Sequence, residues 1–92
     1  MERAPIRALA WSLAPLILLA PAAQAASCGE LWYARNAIYK EAGYCFRTAR
    51  AIQAFGNAGC TFDNMNDVPL SARARAQVAD IVAQERYQGC PR

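Results

Sequence analysis

Two stretches of this chain repeat apolar residues at the spacing of a helix. In the first, Leu31, Ala34 or Arg35, Ile38 and Ala42 fall on one face, and Trp32 and Tyr39 add an adjoining aromatic stripe. The pattern predicts a helix over 30–42. Glu30 stands in its first turn, where the helix dipole favours negative charge, and Gly43 supplies a left-handed stop. In the last stretch, Ala74, Val78, Ile81, Val82 and Glu85 share a face, while Arg73, Arg75, Asp80 and Arg86 point outward. That helix starts after Pro69-Leu70 with Ser71 as its N-cap, runs to Gln88 and ends at Gly89.

Between them, Thr48 caps a short helix over 49–55 that Gly56 closes, with Ala51, Ile52 and Phe55 as its apolar side. Two turns are marginal in isolation, so packing or a crosslink must hold this segment. Residues 57–69 read as a loop anchored by Cys60 and Phe62. Its Asp63-Asn64-Met65-Asn66-Asp67 run faintly suggests a calcium loop. The pattern fails, because Met65 takes a ligand position, Val68 stands where a glycine belongs and Ala74 where the bidentate glutamate belongs. No strand-like alternation occurs beyond residue 26. The expected fold class is a small all-α, three-helix domain with two longer helices and one short.

The first 25 residues have a different character. Arg3 and Arg7 precede the uncharged run from Ala8 to Ala20, and Pro21-Ala22-Ala23-Gln24-Ala25 follows. Basic region, hydrophobic region and small-residue site in that order predict a secretory signal peptide over 1–25, cut after Ala25, and a domain over 26–92. The run is shorter than the about 20 residues a membrane helix needs, and it contains Pro15. A lipoprotein reading, with Cys28 as the lipidated residue, lacks a large aliphatic residue three positions before the cysteine.

The chain has 92 residues, four cysteines, no histidine and a formal net charge of +3. That charge is too mild and too scattered to imply nucleic acid. Cys28, Cys45, Cys60 and Cys90 all lie beyond the signal. An even count in a small exported chain reads as a disulfide framework, because so short a domain buries little apolar surface. Their separations of 17, 15 and 30 residues include no closely spaced pair, which argues against zinc.

Geometry ranks the pairings. Cys28 and Cys45 flank a helix about 20 Å long, whereas a disulfide needs its Cα atoms within about 7 Å. Two connectivities survive: Cys28–Cys60 with Cys45–Cys90, and Cys28–Cys90 with Cys45–Cys60. The second makes the long helices antiparallel and staples the short helix locally. It also brings Arg35, seven residues after Cys28, to the depth of Glu85, five residues before Cys90, and a buried arginine needs such a partner. The second pairing is therefore favoured, with Arg35–Glu85 as a structural ion pair.

The run Leu31-Trp32-Tyr33-Ala34-Arg35-Asn36-Ala37-Ile38-Tyr39, followed by Gly43-Tyr44 and Phe46, resembles the YARHG domain, a small module of exported bacterial proteins. The likeness continues through Phe55 to Leu70-Ser71, Ile81 and Glu85. Of the five residues that name the family, Tyr39 and Gly43 are present, while Lys40, Glu41 and Ala42 replace Ala, Arg and His. Roles of that arginine or histidine therefore do not carry over. The resemblance implies an extracytoplasmic module, often attached to larger envelope proteins, and names no substrate.

Catalysis needs a nucleophile, an acid or base, or a metal. Histidine is absent, and Ser71 is a helix cap. The cysteines are expected to be oxidised, Lys40 and Glu41 diverge on a helix, and Asp63 and Asp67 have no orienting partner. No catalytic, cofactor or metal residues are assigned. The expected function is a non-catalytic binding or structural module of the cell envelope, periplasmic or secreted. Its partner would be a protein or an envelope polymer, contacted through whichever of Trp32, Tyr33 and Tyr44 is exposed. The alternative is a small disulfide-stabilised secreted effector or inhibitor acting on a protein or an anionic envelope partner, with Arg47, Arg50, Arg73 and Arg75 clustered near two helix starts.

Overall fold

The computed structural model describes residues 26–91; the predicted signal peptide over 1–25 and its cleavage site lie outside the described residues. Among the described residues three α-helices follow one another: α1, Cys28–Glu41; α2, Ala49–Phe55; and α3, Ala72–Gln88. One 3-10 turn, Met65–Asp67, lies between α2 and α3. Among the described residues no helix is long and apolar enough to cross a membrane.

Helix α1 begins two residues earlier than its apolar pattern predicts. The Ser27 Oγ accepts the Glu30 N–H at 3.1 Å, and the Glu30 carboxylate accepts the Ser27 N–H at 2.8 Å. This reciprocal capping box satisfies two donors that a bare helix start would leave orphaned. The far end closes at Gly43, whose φ of +96° suits glycine. There the Gly43 N–H donates to the Lys40 carbonyl and the Tyr44 N–H to the Tyr39 carbonyl, each at 3.1 Å. The same closure recurs at Gly89, where the Cys90 N–H donates to the Glu85 carbonyl at 2.8 Å. Helices α2 and α3 start at Thr48 and Ser71, whose hydroxyls accept the Ala51 and Ala74 amides.

Cys28, the first residue of α1, is bonded to Cys90, just past α3, with Cα atoms 5.5 Å apart. The two long helices therefore pack antiparallel. Cys45 is bonded to Cys60 with Cα atoms 5.1 Å apart. Beside that bond, the Gly43 carbonyl accepts both the Thr61 and Phe62 amides, and the Cys45 N–H donates to the Phe62 carbonyl at 2.8 Å. Asn57 ties the same segment from the other side. Its Oδ1 accepts the Phe46 N–H at 2.7 Å, and its Nδ2 donates to the Phe46 carbonyl at 2.9 Å. In the loop, Asn64 turns its side chain back onto the Asn66 amide and caps the 3-10 turn.

The core sits on one flank of α1. Tyr44, Phe46, Ala51 and Val68 are buried together, and Trp32, Tyr39, Ala42, Phe55, Phe62 and Leu70 pack around them. Most of this material comes from the segments between helices. Between α1 and α3, Leu31 is buried, and Arg35 reaches a Glu85 that is only 1% exposed. Ile52, expected on the inner side of α2, is 42% exposed. The helix turns Ala51 and Phe55, four residues apart, toward the core, and Ile52 lies about 100° away from Ala51 around the axis.

Candidate functional site

Most polar groups with chemical potential are occupied in holding the fold. Ser27, Thr48 and Ser71 are caps, the four cysteines are bonded, and the Lys40 ammonium donates to the Gly56 carbonyl at 3.3 Å. The Arg35 guanidinium forks onto Glu85, with Nε 2.8 Å from Oε1 and Nη2 3.0 Å from Oε2.

The arginines near the helix starts have separate tasks. Arg47 donates to the Asp63 carbonyl at 3.2 Å and Arg75 to the Leu70 carbonyl at 2.9 Å. Arg50 lies flat above Trp32, its guanidinium carbon 3.7 Å from the ring centroid. Arg73 is exposed, with no bonded partner among the described residues. Three of the four are thus engaged locally rather than gathered into one cluster.

Tyr33 and Tyr87 are the aromatic rings among the large exposed apolar side chains. Tyr33 is 53% exposed and stacks obliquely on Phe55, centroids 4.7 Å apart. Trp32 lies 6.1 Å from the same Phe55 ring, and Phe55 is itself stacked on buried Phe46 at 5.2 Å. Trp32, Tyr33, Phe55 and Arg50 therefore form one surface where the start of α1 meets α2, rooted in the core through Phe46. Buried Phe46 backs the half-buried Phe55, which in turn braces Tyr33 and Trp32, so the surface is pre-formed.

Tyr44, named with Trp32 and Tyr33 as a contact residue, does not join them. It is buried, edge-on to Tyr39 at 6.0 Å and to Phe46 at 5.2 Å. The turn at Gly43 sends the chain inward at that point, and Tyr44 follows it. Phe55 and Arg50 take its place in the patch. The sequence signal for Phe55 is its spacing from Ala51 on α2; nothing local signals that Arg50 covers Trp32. Tyr87, on α3, is 92% exposed and stands apart from these aromatic contacts.

The surface can offer flat apolar faces and a cation. A guanidinium stacked on an indole keeps its in-plane N–H donors available to an anionic group. Aromatic rings and arginine are also the residue types that anchor protein interfaces most effectively.

The family model of the YARHG domain matches residues 9–86 of this chain. The matched span begins inside the stretch read as a signal peptide, covers α1 and α2, and stops within α3 before Cys90. No curated protein and no solved structure matches the chain.

Proposed function

As the chain belongs to the YARHG domain family, whose domains are extracytoplasmic, we propose that it is a non-catalytic binding module of the cell envelope. It engages a protein or an envelope polymer through the Trp32–Tyr33–Phe55–Arg50 surface. The observation that carries this reading is the position of Tyr33: a large ring more than half exposed, braced by Phe55, beside an arginine held on Trp32. A ring that served only the core would be covered. Disulfides suit an oxidising compartment, and export through residues 1–25 is part of the proposal.

Site-specific photocrosslinking tests the surface. A benzophenone side chain at position 33 is expected to yield a discrete adduct in the producing cell's envelope, and one at position 87 none. Adducts of equal yield at both positions would remove the patch from the proposal. The same experiment on a neighbouring cell type reads out the secreted-effector alternative, which an adduct found only there would favour.

A further inference from the structure

The antiparallel pair of α1 and α3 has two flanks, and the aromatic core covers one. On α1, Trp32 and Tyr39 pack against that core and buried Asn36 shares their side of the helix, whereas Ala34 lies nearly opposite to Asn36 at about 100° per residue. Away from Trp32 and Tyr39 run two adjoining cavities of about 290 and 430 Å³, both lined by Ile38 and Gln77, the first reaching the edge of the core at Ala42 and Leu70. Together they make one groove between the helices. Its floor is small and aliphatic: Ala34 and Ile38 from α1, Ala42 at the α1 C-cap, and Ala74 and Ile81 from α3, with residues 69–71 closing one end. Alanines at these positions let another backbone approach closely, and a furrow between two antiparallel helices is the geometry in which a third helix packs.

Charge selects the occupant. Each wall carries an exposed acid, Glu41 on α1 and Asp80 on α3. Neither has a bonded basic partner among the described residues, and Arg73, one turn before Gln77, does not line the groove. Acids on both rims run against the net charge of +3. A second copy seated groove to groove would gather four acids, and no base from either lining, in one interface, which is unfavourable.

We propose that this groove receives an amphipathic helix of a partner protein, with small or aliphatic residues in the seam and Lys or Arg along its edges. The mode is helix-in-groove recognition, in which the seam contributes the contact area and the rim charges set partner choice. The groove shares no residue with the Trp32–Tyr33 surface, so the two sites fail independently.

Selection from a displayed library of helix-forming peptides, randomised at every seam and edge position, tests it with the oxidised protein as bait. Enriched peptides are expected to carry Ala or Leu in the seam and Lys or Arg at the edges. Ala34→Arg, which blocks the floor from an exposed position, is expected to weaken them at least tenfold. The rim double variant Glu41→Lys with Asp80→Lys is expected to do the same, while Tyr33→Ala leaves binding unchanged. Enrichment of acidic or neutral edges, no enrichment above the Ala34→Arg bait, or indifference to the rim variant at an unchanged melting temperature would overturn the proposal. So would a concentration-dependent dimer that Ala34→Arg abolishes.

Discussion

The Arg35 guanidinium grips the Glu85 carboxylate with two parallel hydrogen bonds of 2.8 and 3.0 Å, across fifty residues of sequence. The pair ties α1 to α3 at a point where Glu85 is 1% exposed and the arginine side chain 17%. It sits near the Cys28–Cys90 bond, and the Glu85 carbonyl also accepts the Cys90 amide. One residue thus links the ion pair, the helix end and the disulfide.

Removing one partner of such a pair leaves a charge stranded away from water. Arg35→Ala is expected to lower unfolding free energy by about 3–5 kcal/mol. Glu85→Ala is expected to cost less, because the freed arginine is partly exposed and can reach solvent. Replacing both by Met and Leu is expected to recover most of the loss, since a well-packed apolar pair avoids the desolvation penalty. Urea denaturation of the oxidised protein measures all three. A Glu85→Ala loss larger than the Arg35→Ala loss would contradict this assignment.

The two disulfides close loops of unequal length, with sequence separations of 62 and 15 residues. On loop-closure entropy alone they contribute about 4 and about 3 kcal/mol. Replacing Cys28 and Cys90 by alanine is therefore expected to destabilise more than replacing Cys45 and Cys60. Non-reducing peptide mapping should recover Cys28 with Cys90 and Cys45 with Cys60.

Two residues hold the inward turn of the chain. Gly43 has φ +96°, and a Cβ there would lie 3.4 Å from the Phe62 ring, so Gly43→Ala is expected to cost about 1–2 kcal/mol. Asn57→Ala strips two hydrogen bonds from the Phe46 backbone and is expected to cost about 2 kcal/mol. Thermal unfolding followed by circular dichroism checks both. A Gly43→Ala variant as stable as the parent would mean that the turn relaxes without strain.

The helices were legible in the sequence because their signals are local. Thr48 and Ser71 cap, Gly56 and Gly89 stop, and the apolar periodicity of 74–85 marks the face that α3 turns toward α1. The antiparallel pairing of α1 and α3 could be reached by counting residues from cysteine to charge. Ser27 carries no such signal in the apolar pattern, because its capping role depends on a helix beginning at Cys28 rather than Glu30. The site was less legible, for a physical reason. Whether Tyr44 faces in or out depends on the Gly43 carbonyl meeting the Thr61 and Phe62 amides, and no periodicity encodes that contact. Asn57 in place of a backbone partner, and Arg50 over Trp32, are likewise tertiary pairings between residues with no local pattern.

Retention on isolated envelope tests the central claim most directly. Tyr33→Ala with Arg50→Ala removes the outer half of the patch from exposed positions, so the melting temperature should change little. The account predicts that the parent protein co-sediments with the envelope fraction and that the double variant is retained at least tenfold less. Equal retention of both proteins at matched stability would contradict it.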